Sequence, residues 1–265
     1  MNDSQLTSLD KVVADILAYK EPKMLMKAAS DLVDNSSVDM KMLDRYYPLV
    51  TAVRQAYQKV IRYPIYFEKF YPQDNEVTQI EAMRYHLHSY LHDLSRLEQK
   101  IKVLLDALKN DYKKTTDDVQ EISEYVKAIK AIVLNTFTEV GAKRNPHQHE
   151  GMDFEDSKLL GASIGELFAG DNGLLKNYLP PQKREEIKAK IEDDFSEARM
   201  DWINLSNRNN ARLTDFVNHI FGWIRPLLNQ LLGIKPFIDS PEYQKVLSNL
   251  SRPLEEERPE SVTPH

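Results

Sequence analysis

The sequence predicts an all-α protein: a helical bundle built on a long antiparallel helical hairpin, with an N-terminal helical extension. Three observations predict it. Apolar residues recur at intervals of three and four over most of the chain, the repeat that gathers them on one side of an α-helix. No stretch of useful length alternates apolar and polar residues as a half-buried strand does. And 265 residues hold only 8 glycines, too few for a turn-dense all-β fold.

In chain order, the first 75 residues are helical in pattern but irregular. Helices are expected over Leu6 to Tyr19, Pro22 to Val33 and Met40 to Val60. The aromatic stretch Tyr63-Pro64-Ile65-Tyr66-Phe67 through Tyr71-Pro72 then reads as a packed connector, with a partner surface as the alternative. The strongest signal follows. Ile80, Met83, Leu87, Leu91, Leu94, Leu97, Ile101, Leu104, Leu108 and Tyr112 form one unbroken stripe. Thr115-Thr116-Asp117-Asp118 interrupts it and supplies N-cap candidates. A second stripe runs through Val119, Ile122, Val126, Ile129, Val133, Phe137 and Val140. So short a connection makes the two helices antiparallel neighbours, packed along both stripes.

The second helix is expected to stop near Asn145, because the residue before Pro146 is pushed out of helical geometry. A shorter amphipathic piece runs from Phe154 to Phe168, with Leu160, Ile164 and Leu167 on one side. Gly170-Asp171-Asn172-Gly173 is a turn, and Pro180-Pro181 opens a new helix. That helix carries Ile187, Ile191, Phe195, Ala198, Trp202 and Leu205, then Leu213, Phe216, Ile220, Ile224, Leu227 and Leu231. The stripe lapses at Asn207-Arg208-Asn209-Asn210, which predicts two helices or one bent helix, with Pro226 as a further kink. Trp202 and Trp223 fall on or beside apolar stripes and read as core or dimer contacts. The tail from Ser251 is Pro- and Glu-rich and is expected to be disordered. The organisation expected is therefore an extension over 1–75, a bundle over 76–235 and a C-terminal segment with its tail over 236–265.

Composition narrows the function classes. Lys and Arg number 35 against 41 Asp and Glu, a formal net charge of −6. That balance argues against a general nucleic-acid coat or a membrane-surface binder, while leaving room for a local basic site. The absence of cysteine removes disulfide scaffolds, thiolate metal sites and thiol catalysis. Neither a signal peptide nor an apolar run long enough to span a bilayer is visible, so the chain reads as cytoplasmic.

One constellation carries chemistry: Lys143-Arg144-Asn145-Pro146-His147-Gln148-His149-Glu150, at the end of the second hairpin helix. Arg144 continues the apolar stripe after Phe137 and Val140, and a guanidinium there is costly unless paired or set at a cleft or interface. His149 follows after four residues, with Pro146 expected to turn the chain back between them. An arginine, a following polar residue and a histidine four residues further on, at the end of a long helical hairpin, resemble the motif of the HEPN superfamily. The resemblance covers roughly residues 78 to 235. It implies an all-α, usually dimeric protein with a metal-independent ribonuclease site. Many such proteins act as toxins or defence-system effectors, some held by a protein antitoxin.

The residue types suit that chemistry. Cleavage without a metal uses the neighbouring 2′-hydroxyl of RNA as nucleophile. His149 can accept or donate the proton near neutral pH, and Arg144 can hold phosphate oxygens as charge builds on them. Asn145 would assist by orienting the imidazole or bonding a phosphate oxygen; Lys143, His147 and Glu150 are secondary candidates. A homodimer would bring two such motifs together at a cleft. The alternative is a non-catalytic helical binding or scaffold module, in which Arg144 and His149 hold a subunit interface.

Other candidates are weaker. Arg212 and His219 share a comparable spacing, but Leu213 follows the arginine and no turn separates the pair. His88 and His92 lie four apart on one helix and could chelate a metal, with His147 or His149 across the hairpin to complete the site, yet there is no HExxH, no clear carboxylate third ligand and no cysteine. They read as boundary histidines beside the core. No cofactor and no metal is expected.

Overall fold

The computed structural model describes residues 6–21, 38–72, 77–115, 119–149, 156–170, 173–175, 177–241 and 243, without the side chains at 115, 119 and 139–149. The chain is all-α, with no strand among the described residues. The helices are α1 (Ser8–Lys20), α2 (Met40–Val60), α3 (Tyr63–Lys69), α4 (Gln79–Thr115), α5 (Val119–His149), α6 (Ser157–Ala169) and α7 (Pro181–Leu232). The helix expected over Pro22 to Val33 and the tail from Ser251 lie outside the described residues. By packing, the chain divides into two compact units, Met1–Pro48 with Phe221–His265, and Leu49–Ile220. The cuts fall inside α2 and α7.

Within the unit Leu49–Ile220, the expected hairpin is present as α4 and α5. Thr78 and Glu81 form a capping box at the start of α4: Glu81 N donates to Thr78 Oγ1 at 3.2 Å, and Thr78 N donates to Glu81 Oε2 at 2.9 Å. All ten stripe residues of α4, from Ile80 to Tyr112, are buried. From α5, Val126, Ile129, Val133 and Phe137 are buried. Lys130 of α5 reaches Asp106 of α4 at 2.6 Å, tying the two helices together across their solvent side. The aromatic connector is a short helix, α3, with Tyr63 and Phe67 buried.

Two expectations are corrected or narrowed here, each for an identifiable reason. The first concerns α6, whose bulky stripe does not face inward. Leu159, Ala162 and Ala169 are buried, while Ile164 and Leu167 are 46% and 55% exposed. The glycines decide this. A Cβ at Gly165 would stand 2.6 Å from Ile191 Cγ1, so α6 packs through its small residues, close against α7. Gly165→Val should therefore cost about 1–3 kcal/mol through overpacking. A thermal melt checks it, and an unchanged midpoint would refute the close approach.

The second concerns Asn207 to Asn210, read as a boundary between two helices or a bend within one. Of the two, the structure has one continuous 52-residue helix. Its polar residues are used in tertiary contacts: Asn210 Nδ2 donates to Ile61 O at 2.8 Å, Asn209 Nδ2 to Tyr90 OH at 3.3 Å, and Thr214 Oγ1 lies 2.8 Å from Tyr57 OH. Trp202 is buried as expected, and its Nε1 donates to the α6 N-cap residue Asp156 at 3.0 Å.

In the other unit, Thr7 and Asp10 cap α1 reciprocally. Leu9, Val12, Ile16 and Tyr19 of α1 are buried, as are Phe221, Ile224, Leu228 and Leu232 of α7. The buried row of α7 thus sits one position round from the expected Leu227 and Leu231, which are half-buried. Trp223 is 40% exposed. The helix ends at Gly233, whose φ of 66° is the left-handed conformation that glycine adopts without strain. Asp15 is fully buried and salt-bridged by Arg225, whose other arm meets Asp239.

Burial raises the pKa of Asp239, but the hydrogen bonds and charges of Arg225 and Lys11 outweigh it and hold the carboxyl below its ordinary value. A carboxylate so held adds stability that is complete above its unfolded pKa of about 3.9 and is lost as pH falls through the lower folded value. This unit should therefore lose stability on acidification below about pH 4. Melts across that range check the expectation, and Asp239→Asn should flatten the slope.

Candidate functional site

The Arg144 constellation sits on the last turns of α5. The helix does not stop at Asn145; it continues through Pro146 to His149, so the proline does not turn the chain back. A proline biases its preceding residue against helix and removes one backbone donor, but near the end of a long helix a single missing bond does not force a stop. The side chains of Lys143, Arg144, Asn145, His147 and His149, and the whole of Glu150, lie outside the described residues. The competing pair is plain: Arg212 is exposed, and His219 Nδ1 lies 2.8 Å from Asp215 O of its own helix.

A second feature joins two stretches that the sequence offered separately, the Tyr63–Tyr71 run as an alternative partner surface and the His88/His92 pair as a weak metal candidate. The N-terminal third of α4 and the aromatic helix α3 enclose an open cleft of about 570 Å³. Tyr63, Tyr66 and Phe70 line one side; Tyr85, His86, His88, His92 and Asp93 line the other. The polar groups of the wall are fixed. Tyr63 OH donates to Asp93 Oδ2 at 2.8 Å. Burial, reinforced by that hydrogen bond and the negative charge of Asp93, raises the Tyr63 pKa, so the hydroxyl keeps its proton. His86 Nε2 lies 2.7 Å from Phe70 O, and since a carbonyl only accepts, that nitrogen carries the hydrogen.

The rings are arranged in contact pairs. Tyr66 meets Phe70 edge to face at 5.2 Å between centroids and lies nearly parallel to His86, at 20° and 6.2 Å. Phe70 is 57% exposed and Tyr85 71% exposed, so large aromatic faces remain open to solvent. The signals for this cleft were in the sequence as an aromatic run and a histidine pair, but nothing there told that the two meet.

His88 and His92 both line the cleft, and no group of three metal-capable side chains occurs among the described residues. Among those residues, no helix is long and apolar enough to cross a membrane. Compared with protein-family models, curated proteins and solved structures, the chain matches none.

Proposed function

We propose that this chain is a HEPN-like, metal-independent endoribonuclease that works as a homodimer, in the manner of a toxin or defence-system effector held by a protein antitoxin. The observation that carries the reading is the long α4–α5 hairpin with the Arg-Asn-x-x-x-His series on the last turns of its second helix. In the proposed reaction, the 2′-oxygen of RNA attacks the adjacent phosphorus as His149 removes its proton. Arg144 holds the non-bridging oxygens while negative charge builds on them. The bond from phosphorus to the 5′-oxygen breaks, and the second copy of the motif across the dimer cleft supplies the proton to the leaving oxygen. Asn145 assists. The products are a 2′,3′-cyclic phosphate and a 5′-hydroxyl.

The test uses purified protein, RNA and an excess of chelator. The expected result is cleavage that the chelator leaves unchanged, with cyclic phosphate ends and growth arrest on expression that depends on His149. Intact RNA over a broad pH range defeats the reading.

A second reading, a non-catalytic binding module, is favoured by the open aromatic cleft beside α3. It expects a stable dimer that dissociates on Arg144→Ala, with neither nuclease activity nor toxicity.

A further inference from the structure

The aromatic cleft and the Arg144 series are far apart in sequence but level with each other along the hairpin. The Asp106–Lys130 ion pair, at 2.6 Å, marks the antiparallel register to within about one turn, 5.4 Å. Each helix advances about 1.5 Å per residue, so stepping outward equally along both helices brings Arg144 level with His92, and His149 level with Leu87. Packed neighbouring helices lie about 8–10 Å apart. The same end of the hairpin therefore carries the cleft walls on α4 and the proposed phosphate-handling residues on α5.

Resting on the nuclease reading above, we propose that this cleft is a nucleobase subsite, which stacks one base of the RNA substrate while its sugar-phosphate backbone runs towards Arg144 and His149. Three features select a base. Tyr85 and Phe70 present exposed ring faces, and every base has a flat face to stack on such rings. The volume of about 570 Å³ falls within the range of small-ligand sites, about 300–1,000 Å³. Asp93 in the wall repels phosphate, so the backbone stays outside, while its carboxylate can accept from the exocyclic amino group of adenine, cytosine or guanine. The carboxylate is pre-set by Tyr63 and needs no reorganisation to do so.

The test uses a fluorescent 2′-O-methyl RNA oligonucleotide, which lacks the attacking hydroxyl and so reports binding without cleavage. Wild-type protein should bind it. Tyr85→Ala should weaken binding about tenfold or more, the effect of losing one base-aromatic stack. Tyr85→Phe should restore it, because the ring and not the hydroxyl does the stacking. Tyr85 is exposed, so the variant should fold, which circular dichroism checks. Equal binding by wild type and Tyr85→Ala, or no binding by wild type, overturns the proposal. The two readings fail separately. Cleavage that needs His149 while Tyr85→Ala binds normally removes the base subsite alone. Ring-dependent binding with no cleavage of ordinary RNA removes the nuclease and leaves the cleft as a base-binding site.

Discussion

Arg225→Ala should destabilise the unit that contains α1 by about 3–5 kcal/mol, the usual cost of stripping the partner from a buried charge. Asp15 is 0% exposed. It accepts from Arg225 Nε at 2.6 Å and Nη2 at 3.1 Å, from Asn229 Nδ2 at 3.3 Å, and from Phe237 N at 2.8 Å. Without the guanidinium, the amides still solvate the carboxylate but no cation neutralises it. Lys11→Ala is the control. Lys11 also pairs with Asp239, at 3.1 Å, but both side chains are partly exposed, so its loss should cost less than about 1 kcal/mol. Urea denaturation of the two variants separates the cases. Similar small shifts in both midpoints would show that Asp15 does not depend on Arg225.

That ion pair also marks where sequence reading ran out. Asp15 stands among Leu9, Val12, Val13 and Ile16, so an acid inside an apolar stripe was visible. Its partner lies 210 residues away, and nothing local couples the two positions. The hairpin was legible because each stripe is long and its period is set by the helix itself. All ten predicted α4 positions are buried. The inward face of α6 was not legible, because hydrophobicity favoured Ile164 and Leu167 while close packing selected the glycines and alanines. Likewise, Asn207 to Asn210 left two helices or one bent helix open because amides on a helix face suggest solvent, whereas in the single helix Asn209 and Asn210 reach Tyr90 and Ile61.

The candidate site divides along the same line. The Arg144 series is a local pattern and could be found from order and spacing, but the bend expected at Pro146 was a backbone bias taken for a rule. The cleft required α3 to pack on α4, a tertiary fact. Its ingredients, the Tyr63–Tyr71 run and the histidines at 88 and 92, each have an ordinary structural explanation when taken alone.

His149→Ala should lower the rate of RNA cleavage by about 10²–10⁴, the usual contribution of a positioned proton-transfer group. Arg144→Ala should lower it by about 10²–10³, as for loss of one group that stabilises charge in the transition state. Arg144→Lys should recover only part of that loss, because a point charge cannot reproduce the planar pair of donors offered to two phosphate oxygens. The double variant should be little worse than the weaker single one, since a proton acceptor and a charge stabiliser serving one transition state act as a unit. Single-turnover cleavage of end-labelled RNA, with enzyme in excess, measures all four. A 2′-deoxy substitution at the cut site should stop cleavage by every form, because it removes the nucleophile and leaves the phosphate contacts in place. His149→Ala should still bind the 2′-O-methyl oligonucleotide like wild type, since proton transfer plays no part in holding the strand. If it cleaves at the wild-type rate with its fold intact, the imidazole has no part in the chemistry; if it fails to bind, the histidine is holding the substrate or a subunit interface instead.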